Sequence, residues 1–596
     1  MNAYTAPLAD MRFVLNHVVG LDRLAGLPGL EVAGEPDLID QILEEAGRFS
    51  AEVLAPLNQP GDQQGARIEN GVVRPVAGFA EAYQTWTAAG WNGVPFAPEH
   101  GGQGLPWTVS TALWEMWSAA NLSFSLCPLL TQAAIDALER HASPEQKAVY
   151  LDRLVSGEWT GTMNLTEPQS GTDLGTIRTR SERSGDHYLL RGQKIFITWG
   201  DHDMTDNIVH LVLARSPDGP PGTRGLSLFI VPKYLVGEDG RPGVRNDLRP
   251  VSIEHKIGIH ASPTCVMSYG ENGGAVGYLV GEENRGIEYM FVMMNNARMA
   301  VGLQGLAVAD RAYQQAVEYA RERVQGRPVQ GADGAAPIIR HPDVRRMLLD
   351  MKSQIEAMRG LCYEVSAELD RAVRIEDPQE RARSQEMVDL MIPVVKAWCT
   401  DVGTAITSTA IQVHGGMGFM EETGVGQHYR DVRITPIYEG TNGVQAMDLL
   451  GRKLMRDGGA TARRLLDEVR AVADTLGEED RQLAAFGDRL SAALDATSDA
   501  VTWLVETFPA DPARASAAAA PFLEMMGLVA GGWMLARGML QARRLACAPG
   551  ADAGFLEAKV TTACYFAETH LVRVPALLGP VIGGGSLVMA LAEDRF

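Results

Sequence analysis

Apolar residues recur at three- and four-residue spacing through residues 37–58 (DLIDQILEEAGRFSAEVLAPLN) and 79–91 (FAEAYQTWTAAGW), and the period continues to about residue 155. The first third of the chain is therefore predicted to be mainly helical. Its one long irregular piece, VPFAPEHGGQGLP, is punctuated by Pro and Gly and reads as a loop. From about 160 to 285 the pattern shortens to runs such as YLLRGQKIFITWG, NIVHLVLARS and LSLFIVPKYLV, separated by PDGPPG and EDGRPG. Short Val-, Ile- and Phe-rich runs between turn residues predict a β-domain inserted between helices. From 287 the helical period returns in three long segments, with a fourth near 442–456, which predicts a helix bundle. Beyond about 460 a polar segment containing GEED leads into Ala- and Leu-rich helices. The predicted organisation is an N-terminal extension (1–36), a helical domain (37–158), a β-domain (159–285), a helical bundle (286–458) and a C-terminal helical domain (459–596).

A chain of 596 residues accommodates roughly three or four domains with a substantial core. The net charge of -21 disfavours a nucleic acid as main partner, because phosphate binding needs a surplus of Lys and Arg. Six cysteines, at 127, 265, 362, 399, 547 and 564, form no CxxC pair, which predicts free thiols in a reducing compartment and no zinc site. The N-terminal stretch MNAYTAPLADMRFVLNHVVG is broken by Asp10, Arg12 and His17, so no secretory signal is expected and the predicted location is cytoplasmic. The most hydrophobic later stretch, MMGLVAGGWMLA, lies between Glu524 and Arg537 and reads as a buried helix too short to span a bilayer. A membrane partner is not expected.

Several chemistries have no motif here. There is no GxxxxGK[ST], no GxGxxG between a strand and a helix, no HExxH and no GxSxG. What remains are polar, glycine-bearing segments at the seams between predicted domains: MNLTEPQSGTD (163–173), KIFITWG (194–200) and QVHGGMGF (412–419). Such segments are also ordinary turn chemistry, but together they could line a cofactor cleft. In ITPIYEGTNG (434–443), Thr441 reads as the N-cap of the next helix, which puts Glu439 just outside its first turn. From there the carboxylate either stabilises the helix dipole or reaches into a cleft.

These segments, in this order, resemble the acyl-CoA dehydrogenase family. MNLTEPQSGTD resembles its TEPxxGSD motif, KIFITWG its (W/F/Y)ITNG strand, VGEENRG the loop before its central helix, and QVHGGMGFMEETGVGQHYRDVRITPIYEGTNGVQ its QxxGGxG...RD...IYEGT block. The resemblance runs from about 37 to 456 and implies an α-bundle, β-barrel and four-helix-bundle succession; the N-terminal extension and the extra C-terminal helical domain resemble the long members of the family.

The resemblance implies FAD-dependent α,β-dehydrogenation of an acyl-CoA thioester, either 3-methylmercaptopropionyl-CoA or a fatty acyl-CoA, with electrons passed to an electron-transfer flavoprotein. It makes Glu439 the catalytic base. Some members carry the base on the central helix immediately before an Arg; here that place is Ala297, before Arg298, so Glu439 is favoured. Arg298, Gly440 and Thr172 are implied on the substrate side, Arg298 having the alternative of an exposed helix charge. For FAD the implied contacts are Met163, Leu165, Thr166, Gly171 and Thr172 on the first segment and Phe196, Ile197 and Thr198 on the second. Phe196 stands where many members have Trp; as plain strand residues, Phe196 and Ile197 would simply alternate with one buried. Arg323, Gln412, Gly415 and Gly416 are implied to reach FAD shared with a neighbouring subunit, hence a homodimer or homotetramer, and Thr441 and Asn442 are further polar contacts. Gly326 and Gly443 depart from the family's usual Phe and Gln. Two other readings stay open: an acyl-CoA oxidase that uses oxygen, and an FAD-binding homologue that acts as a nucleic-acid-binding or assembly factor.

Overall fold

The computed structural model describes residues 4–331, 334–477 and 480–596. Glu478 and Glu479 of the predicted polar GEED segment, and the first three residues of the N-terminal stretch, lie outside the described residues. The chain divides into two compact units, each gathered from distant stretches: residues 48–105 with 120–300, and residues 1–47 with 106–119 and 301–596.

The first unit carries the sheet. Its strands are β1 (Arg67–Glu69), β2 (Val72–Arg74), β3 (Thr160–Asn164), β4 (Arg180–Ser184), β5 (His187–Thr198), β6 (Ile208–Arg215), β7 (Leu226–Pro232), β8 (Tyr234–Val236), β9 (Pro242–Arg245), β10 (Leu248–Ile253), β11 (Thr264–Tyr269) and β12 (Ala275–Val280). Eight of them form one sheet in the order β10-β11-β5-β12-β7-β6-β3, with β4 pairing both β5 and β6. That double pairing closes a circuit of β5, β12, β7, β6 and β4, so the sheet curls into a barrel around Leu190, Val212, Phe229, Val231 and Met267. Alternation of apolar and polar positions along β5 sets its register, and burial follows it: Leu190 is fully buried while Arg191 is exposed.

The hairpin β1–β2 corrects the expectation that the 94–106 loop alone interrupts the helices of the first third. Its turn is Asn70–Gly71 with φ of +51° and +76°, the left-handed pair that a two-residue hairpin requires. Pro60 sits inside the helix Ala55–Gln64 and does not end the helical run at that point.

The second unit is helical. Pro342–Arg374 and Pro378–His414 are full-length bundle helices, and the latter part of Gly286–Glu322 runs with them. The fourth bundle element is short, Asn442–Asp448 continued by a wider turn to Leu454. In the bundle interior, Arg359 and Glu115, each 1% exposed, form a forked ion pair (2.9 and 2.6 Å) that Asp310 and the Tyr363 hydroxyl complete. Asp370 accepts the backbone N–H groups of Trp107 and Thr108 at 2.8 and 2.9 Å, satisfying donors that the start of a helix leaves free.

The stretch MMGLVAGGWMLA belongs to a longer helix, Ala519–Leu545, which is long and apolar enough to cross a membrane by length and composition, correcting the expected shortness; 83% of its apolar window is buried in protein. The run Ala553–Val588 is more apolar still, with mean hydropathy 1.6 against 1.3 and 22% of its window buried.

Candidate active site

On the sheet unit, the two predicted motif segments are adjacent. The Thr166 carbonyl accepts the N–H of Ile195 at 2.9 Å, and the Thr162 hydroxyl donates to the carbonyl of Thr198 at 2.7 Å. Between Lys194 and Ile197, β5 carries one residue more than its partner β11, a bulge. There Phe196 takes φ +60°, rare for a residue with a Cβ, and the residue is 58% exposed while Ile197 is 2% exposed. The bulge thus presents an aromatic ring outside the sheet, next in sequence to a residue anchored in the core.

Lys194 and Glu167 brace this arrangement from inside. Their side chains are 0% and 3% exposed and meet at 2.9 Å. The ammonium also donates to the Leu165 carbonyl at 2.9 Å, and Glu167 accepts the N–H groups of Arg178 and Thr179 at 2.7 and 3.0 Å. Burial opposes its charge, but Lys194 and these donors hold the Glu167 carboxyl down at about 2. Neither residue was among the predicted site residues, although both lie within the quoted segments; the available signal was a lysine directly before the apolar run Ile195–Ile197.

Of the other residues predicted here, Met163, Thr166 and Thr198 are half-buried, Leu165 is buried, and Gly171 and Thr172 are exposed. Leu165 and Ile197 are both withdrawn from solvent, and the carbonyls of both are engaged, by the Lys194 ammonium at 2.9 Å and the Gly200 N–H at 3.3 Å. Arg298 is buried at 5% exposure, its guanidinium 5.9 Å from the centre of the Phe291 ring, which overturns the exposed-charge alternative. Ala297 is also buried.

On the helical unit, Thr441 caps Asn442–Asp448 by accepting the N–H of Val444 at 3.3 Å. The half-buried Glu439 precedes it at φ +57°, and Gly440 follows at φ +89°. Two successive left-handed residues turn the chain sharply; a glycine tolerates this, and a glutamate adopts it at a cost of about 1–3 kcal/mol. The turn is held from behind, since the Gln445 amide donates to the carbonyls of both Glu439 and Gly440 at 3.3 Å. Tyr438 hydrogen-bonds through its hydroxyl to the buried Gln304, and burial together with the neighbouring Glu439 charge pushes its phenol well above the usual range.

Asn442 turns inward: its carboxamide meets Lys396 at 2.8 Å, the Ala397 carbonyl at 3.1 Å and Asp401 at 2.7 Å. Its amide is engaged within the bundle, whereas Thr441 is exposed. Gln412, Gly415 and Gly416 are exposed at the end of Pro378–His414, where Gly415 takes φ +60°. Arg323 is exposed just beyond Gly286–Glu322 and contacts Gln325. Of the predicted residues, those of the two motif segments and Arg298 belong to the sheet unit, and Glu439, Gly440, Thr441, Asn442, Arg323, Gln412, Gly415 and Gly416 belong to the helical unit.

Comparison with known proteins follows the same division. The description "Acyl-CoA dehydrogenase, N-terminal domain" matches residues 37–158, the middle domain 162–270 and the C-terminal domain 284–455, while "Acetyl-CoA dehydrogenase C-terminal like" matches 465–592. Over 578 residues the chain is 49% identical to the 3-methylmercaptopropionyl-CoA dehydrogenase of Ruegeria pomeroyi, covering 96% of this chain and 97% of that protein. The chain belongs to the acyl-CoA dehydrogenase family. A broad-specificity linear acyl-CoA dehydrogenase of Mycobacterium tuberculosis is 32% identical over 616 residues and the full length of both chains. Among solved structures, Caenorhabditis elegans ACDH-11 in complex with C11-CoA shares the fold at a TM-score of 0.79 and 20% identity, over 98% of this chain and 95% of that one. The similarity to long acyl-CoA dehydrogenases therefore includes both the N-terminal extension and the C-terminal helices.

Proposed function

We propose that this chain is an FAD-dependent acyl-CoA dehydrogenase that converts an acyl-CoA thioester to the trans-2-enoyl-CoA, with Glu439 as the base. The observation that carries this reading is the strained turn at 439–440, which holds a half-buried carboxylate off the start of a capped helix. A structural acid serving the helix dipole would not need a left-handed backbone.

The sheet unit suits a flat aromatic cofactor: an exposed ring at Phe196 and hydroxyls at Thr166 and Thr198 lie on two segments joined by backbone hydrogen bonds. Phe196 would pack on the flavin ring, Thr166 and Thr198 would hydrogen-bond to it, and Gly171 and Thr172 would lie on the phosphate side. FAD, when bound, supplies the acceptor for the hydride that leaves the substrate's β-carbon. Glu439 takes the α-proton. An acyl chain that displaces water from the carboxylate disfavours its charged form and raises its basicity toward the working range. The Glu439 backbone N–H would donate to the thioester oxygen, where enolate charge develops. Ala297 can take no proton, so the base is Glu439 alone in this scheme.

The relative from Ruegeria pomeroyi makes 3-methylmercaptopropionyl-CoA the first substrate to test, with fatty acyl-CoAs beside it. An electron-transfer flavoprotein is the proposed oxidant, and a homo-oligomer in which Arg323, Gln412, Gly415 and Gly416 complete a neighbour's cofactor site is the proposed assembly. The test is anaerobic titration of the FAD-loaded protein with 3-methylmercaptopropionyl-CoA, butyryl-CoA and longer acyl-CoAs, followed by addition of the flavoprotein acceptor. Bleaching of the flavin absorbance and its transfer to the acceptor support the reading. Rapid peroxide release in air would instead make the protein an oxidase, and no bleaching by any thioester would overturn it.

A further inference from the structure

The turn that presents Glu439 is closed by Asn442. Its backbone N–H donates to the Pro436 carbonyl at 3.0 Å, so residues 436–442 form a loop with Glu439 at its middle. The loop is strained: at φ +57°, Glu439 holds a backbone angle that a residue with a Cβ abandons once its surroundings loosen. The Gln445 amide restrains the carbonyls of Glu439 and Gly440 from one side, over 3.3 Å.

The Asn442 side chain supplies a second hold, fastening the loop to the long helix Pro378–His414. Its oxygen accepts the Lys396 ammonium at 2.8 Å. Its nitrogen donates to the Ala397 carbonyl at 3.1 Å, the Thr400 hydroxyl at 3.0 Å and the Asp401 carboxylate at 2.7 Å. A carboxamide nitrogen has two hydrogens, and both are committed to acceptors on that helix, so none is left to reach a cofactor.

The contacts run from a cation through the amide to an anion. Both charged ends favour the same orientation of the amide, which fixes the residue more firmly than neutral hydrogen bonds would. Lys396 is fully buried, so the cationic end is packed in place, whereas Asp401 is exposed.

We propose that Asn442 is a positioning residue for Glu439: oriented by Lys396 and Asp401, it keeps the 439–440 turn in the left-handed conformation that aims the carboxylate, and it takes no part in holding FAD. This rests on the reading of Glu439 as the base.

Anaerobic bleaching of the FAD-loaded full chain by 3-methylmercaptopropionyl-CoA, resolved into a limiting rate and a half-saturation concentration, tests it. Asn442→Ala is expected to lower the limiting rate about tenfold or more, with the half-saturation concentration and FAD retention within about twofold, because a misaimed base costs rate and not binding. Asp401→Ala is expected to slow bleaching about threefold or more, while Asp401→Asn, whose amide oxygen still accepts the Asn442 N–H, bleaches near the natural rate. Asp401 is exposed, so its two variants decide the matter even if Asn442→Ala does not fold. An unchanged limiting rate in Asn442→Ala, a loss of FAD in its place, or equal rates in Asp401→Ala and Asp401→Asn would overturn the proposal. Glu439→Gln measured alongside separates the two claims. Slow bleaching there with natural bleaching in Asn442→Ala removes the positioning role alone; natural bleaching in Glu439→Gln removes the base, and the positioning role with it.

Discussion

Lys194 and Glu167 form an ion pair at 2.9 Å with both side chains withdrawn from solvent, and the same ammonium holds the carbonyl of Leu165. The pair ties the TEP loop to the bulged end of β5, the two segments that would hold the flavin. Lys194→Met leaves the Glu167 carboxylate buried without its counter-charge, which should cost about 3 kcal/mol or more in urea unfolding. Adding Glu167→Gln should recover part of that loss, because the amide oxygen still accepts the backbone N–H groups without a charge to compensate.

Acid should weaken the same clamp. The Glu167 carboxyl is held at about 2 against an ordinary value of 4.5, so its contribution is fully present above 4.5 and is lost as pH falls toward 2. The whole effect is of order 3 kcal/mol. Denaturant midpoints measured from pH 6 to pH 3 should fall steadily for the natural chain and less steeply for Glu167→Gln; identical slopes would argue against the pair.

Phe196 is 58% exposed, so Phe196→Ala should barely change stability. Loss of its ring should nevertheless weaken FAD retention by about threefold to tenfold, the worth of one aromatic contact of about 0.5–1.5 kcal/mol. Equilibrium dialysis against FAD separates this from a folding defect, and unaltered retention would remove Phe196 from the cofactor site.

In the helical unit, Arg359 neutralises Glu115 and Asp310 where no water reaches. Arg359→Met would leave two carboxylates facing each other in the bundle core and should lower stability by about 3–5 kcal/mol. Thermal unfolding of Arg359→Met beside Arg346→Met, at a surface arginine paired with the exposed Asp343, would show whether the effect belongs to the buried network.

Periodicity made the succession of helices, barrel and bundle legible, because amphipathic spacing reflects which face each element buries. The N-cap at Thr441 and the carboxylate before it were also readable, since capping is local chemistry. The left-handed backbones of Glu439 and Phe196 were not, because both are residues that ordinarily avoid such angles and tertiary contacts hold them there. The Lys194–Glu167 pair spans 27 positions and depends on strand pairing, which no local pattern specifies. The β1–β2 hairpin was marked by Asn70–Gly71 but sat in a stretch dominated by helical spacing, and the apolar run from 553 is broken by Pro and Gly, which hid its length beside Ala519–Leu545.

The most direct test of the account is the Glu439→Gln protein, which keeps the size of the side chain and removes its basicity. It should bind FAD as the natural chain does, yet anaerobic addition of 3-methylmercaptopropionyl-CoA or butyryl-CoA should bleach the flavin at least about a hundredfold more slowly. Bleaching at the natural rate in a fully FAD-loaded Glu439→Gln protein would contradict the assignment of Glu439 as the base.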